Sequence, residues 1–289
     1  MIREALKKDS SLCLSMMCRY AEVSRSGYYA FLKNEEPRKT RDFNSLRVIR
    51  HHFEKSRRKA GIVTLDMILR RNGHIFNHKK IARIKSQYGL HTKIRRRNPY
   101  RGMSTSAKVH DLIPNILNRN FVQPLPDQAY STDMTYLYYG KCEKAYLSAT
   151  KDLGTNEIVS YNLMKTPAVS QFIEEFKKLL SKLPEHKKSN LLIHSDQGFQ
   201  YTHPHYVNLL EQSGVTQSMS RRGNCLDNAP IENFFGTFKD LAEVKQCKTY
   251  EEVSDEVRRT IEYYNNERPQ KGLNKKPPAE CRGLLSCFF

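Results

Sequence analysis

No stretch of this 289-residue chain is apolar for anything near the roughly 20 residues that span a bilayer. The opening "MIREALKKDSSLCLSMMCRY" interrupts its apolar residues with charge and serine, so it has no signal-peptide core either. Both absences argue against a membrane protein and lead us to expect a cytoplasmic one. Seven cysteines, an odd number, are scattered at 13, 18, 142, 225, 247, 281 and 287 without a C-x-x-C pair. That excludes a disulfide framework and gives no support to a cysteine zinc site. Internal repeats are absent too. With 38% hydrophobic residues the chain has enough apolar material for a real core.

Acidic residues are scarce in one part only. The first 110 residues hold 27 of the 49 Lys and Arg but 8 of the 30 Asp and Glu, so the remainder carries 22 of each and is neutral. The whole net charge of +19 therefore resides in the N-terminal third. A basic segment joined to a neutral one fits a polyanion-binding arm attached to a domain with a different task, because cations gain affinity for phosphates by releasing counterions. A merely solvated basic surface is the competing explanation.

The basic part reads as paired helices. In "LSMMCRYAEVSRSGYYAFLK" the residues Leu14, Met17, Cys18 and Ala21 recur at helical spacing, Val23 and Ser24 break the pattern, and Ser24 caps a second helix that begins at Arg25 and carries Tyr28, Tyr29 and Leu32. A second pair follows: Leu65, Ile68 and Leu69 mark one helix, Asn72 and Gly73 end it, and Asn77 caps another with Ile81, Ile84 and Tyr88, ended by Gly89. Lys79, Lys80, Arg83 and Lys85 lie along that last helix. The run "KIRRRNPYRGMSTSAK", with Arg95, Arg96 and Arg97, is a basic linker suited to lie along a phosphate backbone. We expect a helix-turn-helix over 1–45, a second one with the linker over 46–110, and a larger domain over 111–289.

From Ala129 the texture changes to short aromatic and β-branched runs, "AYSTDMTYLYYG", "KAYLSATKD" and "NEIVSYNLMKT", which predict three antiparallel strands. A helix with Val169, Phe172, Ile173, Phe176, Leu179, Leu180 and Leu183 on one face comes next. "NLLIHSD" is a strand ending at Asp196, "HYVNLLEQSG" a helix and "VTQSMS" a strand; "DNAPIENFFGTFK" opens another helix at Pro230, and a further one covers about Tyr250 to Tyr264. The order β-β-β-α-β-α-β-α predicts a mixed α/β sheet covered by helices.

Three carboxylates stand out. Asp133 is inside the first strand, where an inward charge must be paired or bound to metal. Asp196 sits at a strand end, where sites in such sheets are assembled. Glu232 is about 100° around the helix from Ile231, on the border of its buried stripe. Hard-oxygen ligands without a His or Cys cluster suit Mg²⁺ or Mn²⁺. Two such ions roughly 3.5 to 4 Å apart support phosphoryl transfer. Taken alone, the same three residues also fit a surface Asp, a turn Asp and a helix-start Glu.

The blocks "STDMTYL", "HSDQGFQY" and "SMSRRGNCLDNAPIENFFGTFK", with 35 residues between Asp196 and Glu232, resemble the three acidic blocks of the DDE transposases of bacterial insertion sequences. Among these they are most similar to the second-frame product of elements read in two overlapping frames, whose spacing is shared with retroviral integrases. The resemblance extends over nearly the whole chain, including "RYAEVSRSGYYAFL" and "YNNERPQKGLNKKPPAE"; it departs at "KAGIVTLDM" and in the apolar tail "CRGLLSCFF". It implies a ribonuclease H-like catalytic core behind an all-α helix-turn-helix region. Asp133, Asp196 and Glu232 are then the catalytic acids holding two Mg²⁺ or Mn²⁺ ions. Lys239, seven residues after the Glu, is then a DNA contact on the same side of the helix.

The reaction implied is 3′-end cleavage of DNA followed by strand transfer, on terminal inverted repeats and target DNA. The resemblance also implies a homo-oligomer on DNA, a first-frame partner or fusion, and a nucleoid-associated location. DNA contacts are expected at Arg25, Lys79, Lys80, Arg83 and Arg95 to Arg97. A DNA-binding regulator of the same fold that does not cut, or a nuclease that cuts without joining, is the alternative. His194 is expected to be a packed strand histidine, Asp152 a strand-end residue and Asp227 a turn residue or cap.

Overall fold

The computed structural model describes residues 2–9, 12–93, 113–221 and 224–286, and the chain divides into two compact units, 1–92 and 93–289. Arg95, Arg96 and Arg97 lie outside the described residues.

The first unit is helical: α1 (Ile2–Lys8), α2 (Leu14–Tyr20), α3 (Arg25–Lys33), α4 (Glu35–Lys55), α5 (Ile62–Arg71) and α6 (His78–Gln87). The two capping serine and asparagine signals act as their chemistry dictates. Ser24 Oγ accepts from Gly27 N at 3.0 Å to start α3, and Asn77 Oδ1 accepts from Lys79 N at 2.9 Å to start α6. α4 was not anticipated, and residues 45 and 46 fall within it. Its Leu46, Ile49 and Phe53 meet Leu65 and Leu69 of α5 and Ile81 and Ile84 of α6 in one core. Lys85 turns inward with Ile81 and Ile84, because i and i+4 share a face. Its Nζ donates to Ala60 O at 3.1 Å and Thr92 Oγ1 at 3.0 Å and sits 4.0 Å from the Phe53 ring centre.

The second unit is built on five strands, β1 (Ala129–Tyr139), β2 (Glu143–Asp152), β3 (Ile158–Met164), β4 (Leu192–Ser195) and β5 (Thr216–Met219), in the order β3-β2-β1-β4-β5. The first three are antiparallel and the last two join in parallel. Gly140, at φ +55°, makes the tight turn from β1 to β2. Helices α7 (Val169–Ser181), α8 (Glu185–Lys188), α9 (Phe199–Thr202), α10 (Pro204–Gln212), α11 (Ala229–Leu241), α12 (Tyr250–Asn266) and α13 (Pro278–Ser286) complete the unit.

Period-2 alternation sends the two faces of the sheet to different cores. Leu137, Ala145, Leu147 and Ala149 pack under α11 and α12 with Phe234, Phe238, Val257 and Ile261. Tyr130 and Ile193 pack under α7 and α10 with Phe172, Phe176, Tyr201 and Tyr206. The mixed sheet with helices on both faces, behind an all-α region, is the expected architecture.

The C-terminal helix is fastened by charge. Arg282 of α13 donates to Asp127 at 2.7 Å, Asp152 at 2.5 Å and Glu157, and Lys187 adds a second cation to Asp127 at 2.8 Å. Asp127 and Asp152 are buried, so removal of the guanidinium takes from Asp152 its direct ion-pair partner and from Asp127 one of its two cations. Arg282→Ala is expected to cost about 3–5 kcal/mol in urea unfolding. Adding Asp152→Asn to that variant should recover part of the loss, as coupled neighbours do.

Candidate active site

Strand register decides where the first two acids meet. β4 runs parallel to β1 with Ala129 opposite Leu192, Tyr130 opposite Ile193 and Ser131 opposite His194. Two residues further along each chain come Asp133 and, just past the end of β4, Asp196, and the two carboxyls are near enough for the charge of one to act on the other. Asp133 is also opposite Ala149 of β2, whose side chain lies in the core beneath α11, so Asp133 points to the α11 side.

That helix carries the third acid. Pro230 stands in its first turn, Ile231, Phe234, Phe235 and Phe238 are its buried face, Glu232 is in the first turn and Lys239 in the last. Glu232 is exposed, beside the buried stripe. Lys239 Nζ donates to Thr135 Oγ1 at 2.5 Å, two residues along β1 from Asp133.

The start of α11 is locked to the strand that bears Asp133. Asn228 Oδ1 accepts from Ser131 Oγ at 2.7 Å, and its Nδ2 donates to Thr132 O at 3.1 Å. Lys151, nearly buried in β2, donates to Pro230 O at 3.2 Å, and burial brings its pKa down to about 8. Asp227 has no exposed surface and is gripped by Arg119 Nε at 2.7 Å, Arg221 Nε and Nη2 at 2.9 Å each, and Asn115 Nδ2 at 3.0 Å. It lies in the turn before the helix, as expected of a turn residue, but its carboxylate is clamped by two arginines and caps no helix.

Asp196 is held by its own turn. Gly198 N donates to its Oδ1 at 2.9 Å, and a Cβ at 198 would stand 2.9 Å from that same oxygen, so a larger residue there would displace the carboxylate from its present position. Gln197 Nε2 donates to Ser220 O at 3.2 Å. His194 is fully buried, with Nδ1 2.9 Å from Ser218 Oγ and Nε2 3.1 Å from Ser220 Oγ. Both ring nitrogens are engaged, the packed strand histidine that was expected. Asp152 ends β2 within the Arg282 cluster.

Burial first, then the charge of Asp196 and that of Glu232, push the Asp133 carboxyl up to about 8, against the opposing Met134 N–H and the Lys239 ammonium. Burial raises Asp196 as well. The three acids thus share one electrostatic neighbourhood. Among the described residues no three Asp, Glu, His or Cys side chains already stand in ligating geometry. Asp133 and Asp196 each turn an oxygen to a local backbone N–H, that of Met134 at 2.7 Å and that of Gly198. The donor set still fits a hard divalent cation: it is all carboxylate oxygen, and two of its members, Asp133 and Asp196, are half-buried carboxyls whose burial favours the neutral form until a cation compensates their charge.

The expected DNA contacts in the helical unit divide. Arg25 opens α3 and is exposed, and Lys79 and Lys80 lie in the first turn of α6. Arg83 is forked onto Asp42 through two 2.8 Å bonds, so its guanidinium holds α6 to α4. Sequence reasoning missed the clamps on Asp227 and the Lys151 bond. The signal was present: "TKD" places a lysine inside a strand that both faces of the sheet cover.

The Integrase core domain family matches residues 123–225, with a further Integrase core domain match over 213–278, and the HTH-like domain family matches residues 40–98. InsK of insertion sequence element IS150 from Escherichia coli (strain K12) is 35% identical over 274 residues, 93% of each chain. The transposase for insertion sequence element IS904 of Lactococcus lactis subsp. lactis (strain IL1403) is 31% identical over 79% of this chain and 89% of its own. Among solved structures, the HTLV-2 integrase catalytic core domain in complex with magnesium matches at 16% identity and a TM-score of 0.43, over 55% of this chain and 97% of that one. Sheet order, domain matches and relatives define a DDE-type polynucleotidyl transferase, an enzyme that binds DNA and depends on a divalent metal. The chain belongs to the insertion-sequence transposases with an integrase core domain.

Asn228→Ala removes two buried bonds and leaves the Ser131 hydroxyl and the Thr132 carbonyl unpaired, which should cost about 1–3 kcal/mol in equilibrium unfolding. The Asp227 carboxyl, whose pKa is held far below its usual 3.8 by Arg221 and Arg119, contributes fully above that pH and loses its contribution as the pH falls below it. The stability gap between the natural chain and Asp227→Asn should therefore be open at pH 7 and close progressively below about pH 4, read by denaturant titration at each pH.

Proposed function

We propose that Asp133, Asp196 and Glu232 are the catalytic acids of a transposase that cuts 3′ ends of its terminal inverted repeats and joins them to target DNA. The observation that supports this reading is the parallel register between β1 and β4, which, carried two residues past its last pair of Ser131 and His194, would bring Asp133 and Asp196 side by side near the helix that bears Glu232. Two Mg²⁺ or Mn²⁺ ions held by these carboxylates would ionise the attacking oxygen and neutralise the leaving one.

The chain's own groups supply position. Gly198 N fixes the Asp196 carboxylate, and Asn228 holds the start of α11 against β1 so that Glu232 keeps its distance from Asp133. Lys239 offers a cation on the same side as the acids, suited to a backbone phosphate. The same 3′ oxygen that water liberates in the first step attacks a second phosphodiester in the next, so the protein need form no covalent bond to DNA.

Arg25, Lys79 and Lys80 contact the DNA end, with Arg95, Arg96 and Arg97 along the backbone, while Arg83 positions α6 through Asp42. Two or more copies assemble on the DNA, together with or fused to a first-frame product, in the nucleoid-associated cytoplasm. No described helix is long and apolar enough to cross a membrane.

Labelled terminal repeats incubated with the protein, or with its frameshift fusion, and Mn²⁺ should give nicked products that disappear in Asp196→Ala while DNA binding persists. Binding without nicking in every format would establish a regulator instead, and nicking without joining a nuclease. Lys239→Ala should lower affinity evenly across DNA sequences and reduce the slope of log affinity against log salt by about one.

A further inference from the structure

β4 pairs only with Ala129 to Ser131, so among the described residues the stretch of β1 beyond Asp133 has no strand on that side. Alternation places Tyr136 and Tyr138 on the face opposite Asp133, beyond the reach of α7 and α10. Their rings are 53% and 49% exposed, and they pack edge to face with centroids 5.3 Å apart. Tyr136 is opposite Tyr146, and Tyr138 opposite Lys144, on β2. A cation lies over each ring: Lys239 Nζ, bonded to Thr135 Oγ1, is 5.5 Å from the Tyr136 centroid, and Lys144 Nζ is 5.5 Å from that of Tyr138.

Two exposed aromatics in sequence, each with an ammonium beside it, match the alternation of base and phosphate along a single nucleic-acid strand. The pair starts three residues from Asp133, roughly 10 Å along the strand and on the other face of the sheet, a separation that about three nucleotides span, since 3.4 Å per nucleotide in the stacked duplex is a lower bound for an unstacked strand. A base inside a duplex has both faces covered by its neighbours, so the rings can only take one that has left the stack.

We propose that Tyr136 and Tyr138 form a stacking platform for one or two unpaired bases about three nucleotides from the reacting phosphodiester, with Lys239 and Lys144 on the adjacent phosphates. This rests on the reading of the acids above. It adds to that reading a site that traps the frayed strand and so holds the phosphodiester over the acidic rim. A protein partner is disfavoured, because an ammonium lies over each ring.

The test uses the full chain and DNA carrying 2-aminopurine three nucleotides to one side or the other of the scissile phosphate, in the transposon end or in the target strand. The arm in which fluorescence changes on binding identifies the strand that is held. Tyr136→Ala with Tyr138→Ala should abolish that change, leave the thermal midpoint within error because both side chains are exposed, and slow nicking of a fully paired end about tenfold, the scale of one lost base stack. Mismatches that pre-fray the end should restore much of the rate, and the Phe variants should behave as the natural chain does. An unchanged fluorescence response in the double Ala variant, or equal loss on paired and pre-frayed ends, overturns the platform. Absence of nicking by the natural chain defeats the catalytic reading instead, and the fluorescence arm still decides the platform because it requires binding alone.

Discussion

One buried amide holds the site together. Asn228 accepts from Ser131 and donates to Thr132, the two residues immediately before Asp133, and it immediately precedes the helix that presents Glu232. Through it a strand and a helix from opposite ends of the core share one fixed frame. A hydrogen bond of this kind contributes only about 1 kcal/mol net, but its geometric effect is larger: the carbonyl and hydroxyl it satisfies cannot rotate away without being left unpaired in the interior. Asp227 is bound by two arginines and Pro230 O by Lys151, so the entry into α11 is tied down at 227, 228 and 230.

The acids pull the other way. Placing carboxylates within reach of one another's charge costs energy that the apolar cores on both faces of the sheet must offset, and the rise of Asp133 to about 8 expresses that cost as a retained proton. The scaffold around the acids is held by Asn228, Asp227 and Lys151, while oxygens of Asp133 and Asp196 are turned to Met134 N and Gly198 N.

Much of this was legible in the sequence, for identifiable reasons. Ser24 and Asn77 announced their helices because caps are local chemistry. The three antiparallel strands and the stripe of α11 followed from hydrophobic period. Asp133 and Asp196 were legible as candidates, yet their proximity depends on a parallel pairing between residues more than 60 apart, which no local pattern encodes. α4 was missed because its apolar residues, Leu46, Ile49 and Phe53, occupy only its second half and the first half is nearly all polar. Arg83 and Lys85 looked alike on paper, as basic residues of one helix. Their partners, Asp42 and the Ala60 carbonyl, lie far off in the chain.

The same limit explains why the aromatic end of β1 was read only as strand. "TYLYY" satisfies β propensity completely, and propensity says nothing about whether a ring is covered. Exposure here follows from the shortness of β4, four residues against the eleven of β1. The longer strand therefore projects past its parallel neighbour, and the projecting part carries Asp133 at its base and the tyrosines further out. A long strand beside a short one thus creates the open edge that a nucleic-acid strand would need to reach the acids. Strand length, a property of packing as much as of composition, is what turns a core element into a rim.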